Sequence, residues 1–469
     1  MQEQLVNILN IINAPLGTVM VVLLTFVGVW FTVRTRGVQF RMVGEMIRLL
    51  FQNSQTGNGN SNKRISSFQA FVVSLATRIG TGNLAGVATA IVVGGPGAIF
   101  WMWVMALIGS VNAFVECTLA QLFKQHSRDS YIGGPAYYIS HGMGKRWFAV
   151  IFAVSMFLEF GITNNVVQAN TISSAFTTAF GISPMVMATA LAALSLSVIF
   201  GGIQRIAKVC SVIVPFMAIA YFIIALWVVM TNVTKIPEAL GIILSNAFGL
   251  NQIAGGTLGT VILMGFRRGI FSNEAGEGSS PNAAATADVT HPVKQGLIQT
   301  LGVFTDTLVV CSCTAFIIMC SGLYDCGLNG IELTQAALTA HIGETGKVII
   351  AIAIFFFAFS SVIGNYYYGE SNLIFLFQHS RWQKHYVQAY RLLLGVVVFI
   401  GALMAINLAW ALVDFFMAIM TVCNLVAITY LGRYAVRLLN DYTEQKHKGA
   451  EPTFTKDKLP DIQDKIECW

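Results

Sequence analysis

RRGIFSNEAGEGSSP, residues Arg267 to Pro281, sits inside a long apolar stretch and brings two arginines, two glutamates, an asparagine and three serines into it. Glycines stand at 269, 276 and 278. A helix buried in lipid cannot carry this load without a reason. Each ionised side chain at the bilayer centre costs roughly 3 kcal/mol or more, so such groups must face protein or water. The glycines and Pro281 weaken the helical hydrogen-bond ladder at the same place. The stretch predicts a broken transmembrane helix whose break forms a binding site.

The apolar surroundings extend over the chain. Of its 469 residues, 55% are apolar and only 11% charged, against about 25% charged in soluble domains. Mean hydropathy is +0.68. Several apolar runs exceed the roughly 20 residues that cross a bilayer. The chain is therefore an all-α polytopic membrane protein. The net charge of +6 is spread over loops and does not point to nucleic acid. The eight cysteines show no CxxC spacing and mostly lie in apolar runs, so no metal or redox centre is expected from them.

About eleven spans are expected. A first helix covers about 11–33, and spans 1 to 10 follow at about 65–92, 97–123, 147–180, 184–201, 207–231, 257–289, 295–322, 347–377, 390–406 and 408–431. The Asn/Gly/Ser-rich segment 52–62 reads as a flexible loop, and 231–256 as too polar to span. Residues from Arg433 form a charged, partly disordered tail. Placing the N-terminus outside puts 23 Lys and Arg in inner segments, 2 in outer ones, and Arg78, Arg267 and Arg268 within the membrane. The positive-inside rule then makes the C-terminal tail cytoplasmic, in a plasma membrane such as the bacterial inner membrane.

Span 1 holds a second break, SLATRIGTGNLAG, Ser74 to Gly86. Five spans run from one break to the next, and five more follow. An odd number per half inverts the second half on the first, the pattern of inverted-repeat transporters. The expected units are 1–64 (an extra helix with an amphipathic segment), 65–231 and 232–432 (the two five-helix repeats) and 433–469 (the tail). A break exposes free N–H groups on one half-helix and free C=O groups on the other. The first suits a carboxylate, the second an ammonium group or a hard cation. One site thus fits a zwitterionic amino acid plus a cation.

GGPGAIFWMWVMALIG (94–109), ATRIGTGNLAG (76–86), GGPAYY (133–138), GIFSNEAGEGSSP (269–281) and IGNYYYGE (363–370) resemble the signature stretches of the sodium:alanine/glycine symporter family. The resemblance runs from about 15 to 440. It implies the LeuT-type fold and Na⁺-coupled symport of a small neutral amino acid by alternating access, with H⁺ as the other coupling ion. TRIGTGN (77–83) is similar to the first broken helix of the sodium-coupled leucine transporter, and FFFAFSS (355–361) to the helix opposite. That likeness implies Na⁺ ligands at Ala76, Ile79, Phe357, Ser360 and Ser361. It implies substrate contacts at Thr77, Gly80, Thr81, Gly82, Asn83, Gln168, Phe271, Ser272, Asn273, Ser361 and Asn365. Many members carry Trp where this chain has Asn365, so a larger pocket is implied, with room for glutamine beside alanine and glycine.

Glu116, Glu159, Glu274, Glu277, Asp306, Glu370 and Asp414 also fall in spans. Unpaired, each is expensive, and Arg78, Arg267 and Arg268 are the expected partners. Glu274 and Glu277 are candidates for a gate or proton site. His291 reads as a solvated loop residue. Neither HExxH, GxSxG nor GxxxxGK[ST] occurs, which argues against an intramembrane enzyme and against ATP-driven transport. An exchanger, an exporter or a proton-coupled symporter on the same fold is the alternative. No cofactor is expected.

Overall fold

The computed structural model describes residues 2–52, 65–127, 130–249, 257–404 and 406–469. Most of the expected 52–62 loop, and the end of the 231–256 stretch, lie outside them. Helices α1 (Gln2–Arg34), α2 (Val38–Arg41) and α3 (Val43–Phe51) lead to the first interrupted span, α4 (Ser67–Arg78) and α5 (Val87–Gly94). Next come α6 (Ala98–Leu122), an antiparallel hairpin β1 (Gln125–Ser127) and β2 (Ser130–Ile132), and α7 (Pro135–His141). Helices α8 (Arg146–Leu158) and α9 (Asn164–Phe180) are joined through a π-turn at Glu159–Thr163. Then follow α10 (Pro184–Ile199), α11 (Gly202–Thr231) and α12 (Ile236–Ala247).

The second interrupted span is α13 (Leu258–Asn273) and α14 (Ser280–Ala284). Helices α15 (Pro292–Val303) and α16 (Ser312–Ser321) are joined by a π-turn at Phe304–Cys311, and α17 (Gly330–Ile342) follows. The last three helices are α18 (Thr345–Leu376), α19 (Gln383–Gly401) and α20 (Ile406–His447). Seven of the described helices are long and apolar enough to cross a membrane. The two interrupted spans, the short α10 and the more polar α19 bring the crossings to the expected eleven. Lipid-facing surface shows on α1 and α11, where Ile11, Val22, Phe26, Val212, Phe216 and Ile219 are exposed.

Local chemistry explains both interruptions. A capping box starts α4: Gln69 N–H donates to Ser66 Oγ at 3.1 Å and Ser66 N–H to Gln69 Oε1 at 3.0 Å. The helix stops at Ile79, whose ψ of 86° leaves the helical region. In the second break Glu274, Gly276 and Gly278 all have positive φ, at 59°, 82° and 91°. Two glycines adopt this freely. Glu274 does not, and a non-glycine residue held there marks a constrained site. The break is narrower than 267–281, because Arg267 and Arg268 remain helical within α13. The two interruptions cross: the turn 82–86 packs on α13, and α4 packs on α14, with α18 and α11 alongside.

Two expectations are corrected. The tail is ordered. Helix α20 runs on to His447, and the chain then returns across the face that carries the hairpin. Phe454, Leu459, Ile462 and Ile466 are buried there, Phe454 N–H donates to Thr290 O at 2.9 Å, and Trp469 Nε1–H to Gln121 O at 2.8 Å. Four apolar residues scattered among charges gave no periodic signal, yet they suffice to dock the segment. His291 is also not solvated. It is fully buried, caps α15 by accepting Val293 N–H at 3.2 Å, and meets Asp441 Oδ2 at 3.1 Å.

Candidate functional site

At the end of α4 the carbonyls of Ala76 and Thr77 lack their next helical partners and point at α18. Ser361 Oγ lies 2.9 Å from Ala76 O, 3.4 Å from Thr77 O and 3.1 Å from Phe357 O. Ser360 Oγ lies 3.4 Å from Ala76 O and 2.9 Å from Phe357 O. Two hydroxyls and converging carbonyls thus form an all-oxygen, uncharged cluster. Ile79, completely buried, caps the same helix end. Gly80 closes the cluster, since a Cβ there would collide with Ser361 Oγ.

The free N–H groups of the first break lie one residue further on. Gly80 N–H donates to Asn83 Oδ1 at 2.9 Å. Thr81 N–H and Thr81 Oγ1–H both donate to Gln168 Oε1, at 3.0 and 2.8 Å. Gln168 Nε2–H donates to Asn164 Oδ1 at 2.8 Å, and Asn365 Nδ2–H reaches Asn164 Oδ1 and Asn165 Oδ1, both at 3.2 Å. Asn365 Oδ1 is buried and meets no protein donor among the described residues. This belt of amides joins α9 and α18 to the break.

The second break meets the first through Asp306. Asn83 Nδ2–H donates to Asp306 Oδ1 at 2.7 Å, and Ser272 Oγ–H to Asp306 Oδ2 at 2.8 Å. Gly82 allows the contact, because a Cβ there would stand 3.1 Å from Phe271 Cδ1 and Ser272 Cα. Phe271 packs edge-on against Trp410 at 4.8 Å. Asn273 follows in the second break. Its Nδ2–H donates to Thr307 Oγ1 at 2.9 Å and its Oδ1 accepts Ala275 N–H at 3.0 Å. It braces the break.

The fold is seen in solved transporters. Over 86% of this chain and 92% of the other, it is similar to MhsT, crystallised with L-phenylalanine, with a TM-score of 0.54 and 12% identity. The sodium:alanine symporter family matches residues 2–456. The chain belongs to the sodium:alanine symporter family. It is 48% identical to the probable sodium/glutamine symporter GlnT of Bacillus subtilis, over 100% of this chain and 97% of that one. It is 42% identical to the putative sodium/proton-dependent alanine carrier protein YrbD of the same organism, over 94% and 93%. As a family member it is a multi-pass, cation-coupled amino-acid symporter and not an enzyme.

The symporter's charged residues pair in ways that its sequence hides. Arg268 Nη2 donates to both oxygens of Asp414, at 3.0 and 2.9 Å, and its guanidinium stacks 4.6 Å from the Trp410 ring. Arg267 lies 3.9 Å from Asp414 and donates to Asn13 O in α1. Arg78 reaches Glu274 through a serine. Its Nη2 donates to Ser280 Oγ at 2.7 Å, and Ser280 Oγ–H donates to Glu274 Oε2 at 3.0 Å. Ser279 Oγ–H adds a bond to the same oxygen at 2.5 Å. Glu116 takes Asn424 Nδ2–H at 2.5 Å and Gly276 N–H at 3.3 Å. Glu370 pairs with Arg391 at 3.2 Å, outside the expected trio of arginines. Asp306 and Trp410 stand at the site without having been singled out for it. The one available signal was a lone aspartate in an apolar span, and it names no partner.

Proposed function

We propose that the symporter carries a small neutral amino acid, glutamine in particular, together with Na⁺. The observation that carries the reading is the meeting of the two breaks beside the α18 hydroxyls. Na⁺ is held by the carbonyls of Ala76, Ile79 and Phe357 and the hydroxyls of Ser360 and Ser361. These hydroxyls turn their lone pairs to the cation in place of their bonds to Ala76 O. Such oxygen-only coordination at an unwound helix suits a hard cation. H⁺ is the alternative coupling ion.

The substrate carboxylate takes the N–H groups around Gly80 to Asn83, displacing the Gln168 oxygen from Thr81. Thr77 and Ser361 lie beside the sodium ligands, and Phe271 and Ser272 close the pocket from the second break. Asn365 Oδ1, buried without a donor, accepts from the side-chain amide of glutamine. A buried acceptor left unpaired costs about 1–3 kcal/mol, so a substrate that satisfies it is favoured over alanine or glycine. The name of the 48%-identical relative supports the same choice.

Each repeat, 65–231 and 232–432, supplies one break, with 1–64 added before them and 433–469 folded beneath. The charge distribution puts the N-terminus outside and the C-terminus in the cytoplasm of a plasma membrane. Phe271, Trp410 and the Arg268–Asp414 pair then lie on the outer side of the site and act as its outer gate. Arg78, Ser280 and Glu274 tie the inner halves of the two broken spans together. Uptake of labelled glutamine, alanine and glycine into proteoliposomes tests the reading. An inward Na⁺ gradient should drive glutamine uptake most strongly. Glutamine uptake that ignores Na⁺, or that alanine cannot be distinguished from, overturns it.

A further inference from the structure

Beyond α20 the tail runs against the β1–β2 hairpin. Glu467 Oε1 accepts His126 N–H at 3.0 Å, which joins the tail to β1. Two residues on, Trp469 Nε1–H donates to Gln121 O at 2.8 Å. Its ring lies 4.6 Å from Lys124 Nζ and packs edge-on against Phe454 at 5.5 Å. Lys465 Nζ adds a bond to Gly142 O at 3.2 Å. Residues 467 and 468 are thus held between anchored neighbours on both sides.

This placement gathers three different donors. A ring nitrogen of His126, a carboxylate oxygen of Glu467 and Cys468 Sγ all lie within 4.8 Å of one another. His126 and Glu467 are exposed and Cys468 half-buried, so an ion can reach them from water. Zinc takes imidazole nitrogen and carboxylate oxygen at about 2.0–2.2 Å and thiolate sulfur at about 2.3 Å, in a tetrahedron. Those lengths set neighbouring ligand atoms about 3.3–3.6 Å apart. Small rotations of the exposed His126 and Glu467 side chains close the difference. Imidazole, carboxylate and thiolate together suit Zn²⁺, whereas Mg²⁺ and Ca²⁺ take oxygen ligands. Burial pushes the Cys468 thiol up to about 11, and a coordinated thiol gives up its proton all the same. Cysteine spacing cannot reveal such a site, because the third ligand lies 341 residues from Glu467.

We propose that His126, Glu467 and Cys468 bind one Zn²⁺ ion, with water in the fourth position, and that the ion clasps the tail to the hairpin. The clasp reaches the second break. Gln121, whose carbonyl takes Trp469, donates its own Nε2–H to Ala284 O and Ala287 O at 2.5 and 3.0 Å. Zinc therefore fastens the tail to the residue that holds the end of α14. The site is separate from the sodium ligands and does not depend on which amino acid is carried.

Zinc titration of the full-length, untagged protein in lipid, kept reduced and competed against a chromophoric chelator, tests this. The wild type should bind one Zn²⁺ per chain. His126→Ala and Cys468→Ser should each weaken binding by more than about tenfold, since even the outer partners of metal ligands are worth about 10- to 100-fold. Co²⁺ in place of Zn²⁺ should give a thiolate-to-metal charge-transfer band. Cys468→Ser should remove that band, and Cys326→Ser, which removes the exposed thiol between α16 and α17, should keep it. Zinc should also slow proteolysis of residues 449–469 in the wild type and have no such effect in Cys468→Ser. A wild type that binds no zinc overturns the proposal, as does an unchanged affinity in either ligand variant or loss of the band in Cys326→Ser. Zinc binding that leaves proteolysis of the tail unchanged overturns the clasp.

Discussion

Ser361→Ala tests the proposed sodium ligands. Its hydroxyl oxygen stands where three carbonyls converge, 2.9 Å from Ala76 O, 3.1 Å from Phe357 O and 3.4 Å from Thr77 O. Without the cation it makes neutral hydrogen bonds, so its loss should cost about 1 kcal/mol of stability. With the cation the same oxygen faces a full charge, an interaction worth about 1.5–3 kcal/mol. Na⁺ affinity should therefore fall by about ten- to 150-fold. Two assays separate binding from folding. The Na⁺ concentration for half-maximal uptake should rise by that factor. Thermal unfolding in Na⁺ against choline supplies the second. A native protein at a hundred times its dissociation constant gains about 2.7 kcal/mol from its ligand, and a hundredfold weaker site leaves about 0.4 kcal/mol. The sodium-dependent part of the stability should thus nearly disappear. Ser360→Ala should have the smaller effect, since its oxygen lies further from Ala76 O, at 3.4 Å. An unchanged half-maximal Na⁺ concentration in Ser361→Ala, with a normal sodium-induced thermal shift, would refute the assignment.

Asp306→Asn removes the charge that holds Asn83 and Ser272 together; amino-acid transport should drop more than about tenfold, from roughly 1.5–3 kcal/mol of lost charge-assisted bonding, as measured by initial uptake rates. Asp414→Asn leaves the buried Arg268 guanidinium without the carboxylate that its Nη2 bonds, a loss of about 3–5 kcal/mol, and calorimetry should show the lowered unfolding temperature while Asp414→Asn with Arg268→Met recovers most of it. Ending the chain after Lys448 removes Phe454, Leu459, Ile462 and Ile466 from their buried seats, at about 1.5–3 kcal/mol each if fully buried; limited proteolysis should then cut near Thr290, the residue that Phe454 covers.

The breaks were legible because a continuous lipid-buried helix has no use for charge and clustered glycine, and pays a free-energy penalty for both. Their width was not legible. Arg267 and Arg268 belong to the polar stretch by composition, yet both stay helical within α13, with Arg268 Nη2 bonded to Asp414 and Arg267 to Asn13 O, both far along the chain. Asp306 was hidden for the same reason: its partners lie 223 and 34 residues away, and a π-turn that aims it has no sequence mark. Asn273 has partners that its sequence position does not name. The resemblance implies a substrate contact there, and in this structure Thr307, Met105 and Ala275 meet its amide. The same division runs through the whole site. Asn83, Asn273, Ser279 and Ser280 bond to other parts of the two breaks and hold the backbone open. The groups proposed for ligands are mostly main-chain N–H and C=O, with Ser360, Ser361, Gln168 and Asn365 completing them. A site built in this way changes its preference through one or two side chains while the breaks stay fixed.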